Sequence, residues 1–315
     1  MGILVGIGQA LHLWFRPFLV ACFYPNIPWH IRWRMLLLQP TSLLTYSIES
    51  FPYLFSRPFE IEYLPVWPDR CVRALVFKTS GVAKGRTWRP LHIDIHGGAF
   101  LGGLPEGQAT FDERIANETG AVVVSITYRL APEHTFPAAI DDVDATIRWI
   151  QEHAQSRWGA DPTLMTLSGA SAGANLAIGS TAQSNCQPSS QVGPKALVLF
   201  DAAIDLRLAP SEKPRPQGFP KSEPLRVLYP LFDAYAAPAR AKHMDDPRLS
   251  PALSRRENLP DHMLFIIAGM DIIVAEQLAF AHRINEEDRK QAGWTGPRVE
   301  TVVVDGVPHG YLERE

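Results

Sequence analysis

Short runs rich in β-branched and aromatic residues recur along the chain at 60–66 (EIEYLPV), 72–77 (VRALVF), 91–95 (LHIDI), 121–127 (AVVVSIT), 163–168 (TLMTLS), 196–200 (ALVLF), 263–267 (MLFII) and 300–304 (ETVVV). Each has the length and composition of a strand, so the pattern predicts eight. Between the later runs the apolar period changes to that of a helix. Ile140, Val143, Ile147 and Ile150 fall on one face, as do Val274, Leu278, Ala281 and Ile284. Strands alternating with helices predict an α/β fold with a mostly parallel sheet covered on both faces. The first two strands, joined by Trp67-Pro68-Asp69, read as an antiparallel hairpin at the sheet edge.

Two segments break the rhythm. Residues 1–50 are aromatic-rich and helical in pattern, and 205–245 contains the proline-rich stretch APSEKPRPQGFPKSEP. Neither continues the sheet, so 1–50 is expected to form a helical cap segment, 51–315 the core, and 205–245 a second cap segment. The apolar run 3–24 suggests an anchor, but His12, Arg16 and Pro17 interrupt it. A spanning helix needs about 20 apolar residues without a central charge, so an amphipathic helix over the chain's own pocket fits better than membrane association. Asn117-Glu118-Thr119 has the form of a glycosylation sequon but falls within a helical pattern.

Composition narrows the function classes. With 315 residues, 46% of them hydrophobic, the chain can build a full core. A net charge of −3 without a long basic run argues against nucleic acid or an anionic membrane as the main partner and favours a small, nearly neutral substrate. Cys22, Cys71 and Cys186 are scattered, which predicts neither a disulfide framework nor a metal cluster and fits a reducing, cytoplasmic compartment. No cofactor is called for.

The chemistry gathers at LSGASAGANLA, residues 167–177, where Ser171 is surrounded by glycine and alanine. G-x-S-x-G between a strand and a helix holds a serine on a tight turn with its hydroxyl exposed. Such a serine needs a base and an acid. His309, in VDGVPHGYL, follows the last strand by a short loop, whereas His243, His262 and His282 read as surface residues. Asp271 follows the strand 263–267, and Asp201 and Asp205, one strand earlier, are rivals for the acid. An unperturbed imidazole titrates near about 6.5, so activity should fall as pH drops through that region. In DIHGGAF, residues 94–100, adjacent glycines let backbone N–H groups face a ligand, and with the amide of Ala172 they would hold an oxyanion.

These motifs, together with YRLAPEHTFPAAIDD (128–142), DPTLMTLSGASAGANLA (161–177), DDPRLSP (245–251) and PHGY (308–311), make the chain resemble the hormone-sensitive-lipase-like carboxylesterases of the α/β-hydrolase superfamily, in a fungal type. The resemblance runs from about residue 90 to 310. It implies an eight-stranded, mostly parallel α/β-hydrolase sheet with helices on both faces and a helical cap. It also implies catalytic Ser171, Asp271 and His309, and oxyanion donors among Gly97, Gly98, Ala99 and Ala172. His96, Glu133 and Glu276 would be supports. From their own aromatic character, Trp14, Phe15 and Phe18 of the N-terminal segment, with Phe100, are expected to line an apolar pocket, or else to staple the cap to the core.

Four departures from the family stand out. Ala99 takes the place of the usual third glycine. Ala170 and Ala174 flank the elbow where Asp and Gly are usual, and Ile272-Ile273 replaces Pro-Leu after Asp271. The chain ends six residues after His309, where the family continues into a helix. Strands 263–267 and 300–304 should then be covered by other helices or by a second subunit in a homodimer. The expected activity is hydrolysis of a small-molecule carboxylic ester through an acyl-enzyme on Ser171. Two alternatives are a secondary-metabolism enzyme hydrolysing or cyclising a natural-product acyl ester, and a non-catalytic ligand receptor.

Overall fold

The computed structural model describes residues 2–79, 88–182, 193–220, 222–290, 296 and 298–311. Cys186 and the end of the expected helix 172–184 lie outside them. All eight expected strands are present: β1 (Phe59–Trp67), β2 (Arg70–Phe77), β3 (Arg89–Ile95), β4 (Val122–Ile126), β5 (Ala160–Ala170), β6 (Ala196–Phe200), β7 (His262–Ala268) and β8 (Val299–Val304). They form one sheet in the order β1-β2-β4-β3-β5-β6-β7-β8. β1 and β2 are the antiparallel edge hairpin, β2 is also antiparallel to β4, and the other pairs are parallel.

The helices are α1 (Gly2–Phe23), α2 (Trp29–Ser50), α3 (Ala109–Thr119), α4 (Ala138–Trp158), α5 (Ala172–Thr181), the short α6 (Tyr229–Phe232) and α7 (Val274–Arg289). Helix α4 buries Ile140, Val143, Ile147 and Ile150 as the period requires, each contributing roughly 1.5–3 kcal/mol of burial. In α7 the buried face is Gln277, Phe280, Ala281 and Ile284, while Leu278 is 38% exposed. Ala281 and Ile284 are buried and Val274 packs against the core as expected; Leu278 alone departs, its place on the buried face taken by Gln277 and by Phe280, which meets Phe265 of β7 in a tilted contact. Asn117-Glu118-Thr119 ends α3.

Alternation along β3 divides the molecule. Leu91, Ile93 and Ile95 join the main core with α4 and α5, whereas His92, Asp94 and His96 point to the α3 side. On that side lies a buried polar layer: the Ser168 hydroxyl bonds Asp94 at 2.5 Å and lies 2.9 Å from His92 Nε2, and Ser125 donates to the other Asp94 oxygen. Over β6 to β8 the same side is thinly covered, with Leu264 and Ile266 half-buried and Val302 50% exposed.

Two ion-paired clusters tie the sequence motifs together. Asp142 accepts the amide and guanidinium of Arg129 and the guanidinium of Arg70. Arg248 bridges Asp141 and Asp144 of α4. Helices α1 and α2 pack on each other above the loops that follow β3 and β4. Arg34 of α2 also reaches the carbonyl of Val227 in the 205–245 excursion. No helix of the described residues is long and apolar enough to cross a membrane.

Candidate active site

Strand β5 runs into α5 through Ser171, whose φ of 52° lies in the left-handed region. The flanking glycines are there because the backbones nearly touch. A Cβ on Gly173 would lie 1.9 Å from the Ile95 carbonyl oxygen, and one on Gly169 would lie 2.5 Å from the Gly173 carbonyl carbon. The turn lifts the Ser171 side chain to 2.9 Å from His309 Nε2. His309 Nδ1 lies 2.5 Å from the carboxylate of Asp271. Asp271 is buried, and its second oxygen accepts the amide of Ile273, so the Ile272-Ile273 variation keeps the turn that aims the acid.

The rival acids are engaged elsewhere. Asp205 is held by the amide and guanidinium of Arg207, which also pull its pKa down. Asp201 accepts the amides of Ala268 and Gly310, and burial raises its pKa. One oxygen each from Asp201 and Asp271 and one nitrogen of His309 lie within 4.8 Å of one another, close enough for a cation. In this arrangement Asp271 faces one nitrogen of the imidazole, Ser171 faces the other, and the two Asp201 oxygens each accept one amide.

The loop after β3 coils through three positive φ values, Gly98 at 112°, Ala99 at 53° and Phe100 at 60°. Gly98 is sterically required, since a Cβ there would meet the Gly102 oxygen at 2.3 Å. Ala99 keeps the left-handed backbone despite its methyl group. Ala172 begins α5, where first-turn amides have no partner within the helix. His96 stacks on Tyr128 with centroids 4.5 Å apart, its Nδ1 bonds the Gly97 carbonyl, and burial lowers its pKa to about 4. The imidazole is therefore neutral and helps shape the loop.

Glu133 and Glu276 each meet loop backbone or a loop-bound side chain. Glu276 accepts the amides of Ile204 and Asp205 and pairs with Lys213. Glu133 pairs with Arg16 of α1, and that guanidinium also donates to the carbonyls of Leu101 and Ala131. The arginine that interrupts the apolar N-terminal run is thus a buried clasp on the glycine loop. Tyr46 of α2 adds a second, accepting the Gly103 amide. Neither was singled out from sequence; a lone arginine in an acid-free apolar helix was the available signal.

The expected apolar pocket is redrawn. Phe100 is 3% exposed and stacks face to face on Tyr235 at 4.1 Å, so it belongs to the core. Phe15 and Phe18 are 42% and 43% exposed on the surface of α1, with Phe18 edge-on to Phe23. Trp14 is half-buried, and its carbonyl accepts Gln39. A concavity of about 450 Å³ lies elsewhere, lined by Ser254, Arg256, Arg283 and Glu287, and holds none of the residues above.

A family model described as the alpha/beta hydrolase fold matches residues 92–313, most of the chain. The chain belongs to the α/β-hydrolase family. Among curated proteins, Lipase 2 of Moraxella sp. (strain TA144) is 29% identical over 268 residues, which are 78% of this chain and 59% of that lipase. The ethyl acetate hydrolase of Pseudomonas putida is 27% identical over 220 residues, 69% of this chain and 64% of that enzyme. The match therefore takes in less than two thirds of either relative. Among solved structures, the esterase of Pyrobaculum calidifontis superposes with a TM-score of 0.67 at 27% identity, over 93% of this chain and 88% of that one.

Proposed function

We propose that this α/β-hydrolase is a serine hydrolase of carboxylic esters. The observation that carries the reading is the continuous line from Ser171 Oγ through the His309 ring to Asp271, at 2.9 Å and 2.5 Å. The Ser171 oxygen attacks the ester carbonyl while His309 Nε2 takes its proton. Asp271 orients the ring and stabilises the imidazolium. The tetrahedral oxyanion is met by amides from Gly98 and Ala99 in the glycine loop and from Ala172, each such donor being worth on the order of 10²–10³ in rate. The carbonyl reforms as the C–O bond to the alcohol breaks, and His309 returns the proton to the leaving oxygen. Water, deprotonated by His309, then attacks the acyl-enzyme and releases the acid and Ser171.

Helices α1 and α2 with residues 205–245 act as cap segments over the 51–315 core, a reading supported by the clasps of Arg16, Tyr46 and Arg34 on loops of the core and of that excursion. The substrate class is a small, uncharged ester, in keeping with a relative named ethyl acetate hydrolase. The test is hydrolysis of p-nitrophenyl butyrate by the parent and by Ser171→Ala, with a fluorophosphonate as label. Loss of turnover and of labelling together supports the reading; a Ser171→Ala variant that turns over normally ends it.

A further inference from the structure

The inner sides of α1 and α2 hold the glycine loop, but their outer sides have no part in the proposed chemistry. Between residues 11 and 55, no exposed position carries Asp, Glu, Lys or Arg. Thirteen of the twenty-two large hydrophobic side chains exposed among the described residues fall in this stretch. At about half of ~200 Å² each, they present on the order of 1,000 Å² of apolar surface, beyond the roughly 300–600 Å² of the largest patch on an ordinary monomer.

We propose that this face docks on a lipid surface bearing anionic headgroups. The arrangement is that of helices lying in an interface. Aliphatic Leu37, Leu44 and Ile48 run along α2 at helical spacing, and the most exposed aromatic side chains stand at the ends. Phe23 and Trp29, 73% and 74% exposed, flank the turn between the helices, and Phe55, 82% exposed, lies just past the far end of α2.

Charge selects the occupant. The first 48 residues contain three arginines and no acid, against a net charge of −3 for the whole chain; Arg16 is paired with Glu133, which leaves the half-buried Arg32 and Arg34 as the local positive charge. Arg32 and Arg34, beside the Trp29 turn, are held by backbone carbonyls, and among the described residues no carboxylate pairs with either. Anionic headgroups match that uncompensated charge. A second copy of the same face would bring like charges together as it buried the apolar stripe.

The consequence reaches the site without resting on the esterase reading. Arg16 and Tyr46, on the same two helices, fasten the loop after His96. A lipid-held face therefore sets that loop beside the phase in which apolar molecules dissolve.

The test is flotation of the full chain with vesicles of phosphatidylcholine alone and of phosphatidylcholine mixed with phosphatidylserine. The chain should float with both, more strongly with the anionic vesicles, and that preference should weaken in high salt. The double substitution Trp29→Asp with Leu44→Asp should cut the bound fraction tenfold or more. A milder pair, Phe23→Ser with Phe55→Ser, should cut it in the same direction, while Val302→Asp, at an exposed apolar residue on β8, should float like the parent. All four positions of the two pairs are exposed, so melting temperatures should match and confirm folding. A parent that floats with neither vesicle overturns the proposal, as does a Trp29→Asp and Leu44→Asp variant that floats unchanged. A dimer in sedimentation that the same substitutions dissolve, without vesicle binding, assigns the face to a second copy instead.

Discussion

The Asp201 carboxylate accepts the backbone amide of Gly310 at 3.1 Å, one residue beyond His309. Its other oxygen accepts the Ala268 amide at 2.7 Å, at the end of β7. One buried acid at the end of β6 therefore fixes both the neighbouring strand and the loop that carries the imidazole. Its charge also faces His309 and favours the protonated ring. Asp201→Asn keeps the size but loses the charge, so kcat should fall about tenfold, in line with one charge-assisted bond, with KM little changed. The acid limb of the pH–rate profile should move to lower pH, because the imidazolium loses a favourable neighbour. Asp205→Asn, whose carboxylate serves Arg207, should leave the profile in place. A limb that stays fixed in Asp201→Asn would make Asp201 a purely structural clamp.

Arg16 and Glu133 form a nearly dry pair, with side chains 7% and 9% exposed. Removing one partner leaves a buried charge, typically worth about 3–5 kcal/mol of destabilisation, whereas replacing both with apolar groups is often neutral. Arg16→Met should therefore lower the melting temperature by several degrees, and Arg16→Met combined with Glu133→Leu should recover most of it. The double variant still lacks the donor to the Leu101 carbonyl, so its kcat should remain low. Full recovery of both would show that the glycine loop does not need its clasp.

The fold was legible where side-chain period and chain direction agree. All eight strands follow from runs such as VVVSI and ALVLF, and the positions of Ser171, Asp271 and His309 follow from lying just past strand ends. What could not be read was partnership across long separations. Arg16 looked like an interruption because Glu133 lies 117 residues away, and Asp201 looked like a rival acid because its partners are backbone amides, which have no sequence signature. Phe15 and Phe18 were assigned to a pocket on hydrophobicity alone, but an apolar helix face does not say whether its neighbour is the same chain or something outside it.

Ala99 and Gly173 test the backbone argument from opposite sides. A left-handed alanine costs roughly 1–2 kcal/mol, while glycine there gives back about 0.4–1 kcal/mol through unfolded-state freedom. Ala99→Gly should therefore be neutral to slightly stabilising with kcat preserved, and Ala99→Val, β-branched at a φ of 53°, should destabilise and slow turnover. Gly173→Ala should be far worse than Gly120→Ala. Both add one methyl group, but the first meets the Ile95 oxygen at 1.9 Å, and the second, at a φ of 73°, meets nothing within 4 Å. Equal melting losses for the two glycine variants would contradict the close-approach explanation of the G-x-S-x-G spacing.

Asp112 of α3 is fully buried, and among the described residues no hydrogen bond of normal geometry reaches either carboxylate oxygen, with Ser125 nearby as a weak, partly compensating donor. Burial, and then the neighbouring Asp94, push its pKa well above the ordinary 3.8. A carboxyl raised in the folded state imposes no penalty below about pH 3.8, and the penalty grows with pH until the folded pKa is passed. Asp94, pushed up to about 6 by burial, acts in the same direction but is exhausted above that pH. His92 and His96, pushed down to about 4, act oppositely: the unfolded chain takes up protons first as pH falls from about 6.5, so they weaken the fold only on the acid side. Asp112→Asn, neutral and of equal size, removes the Asp112 penalty and leaves the other three groups in place, so it should melt close to the parent near pH 4 and gain on the parent as pH rises from there toward neutral. A gap that stays constant across that range would mean that the carboxyl titrates in the fold as it does in the unfolded chain, and that its charge is compensated.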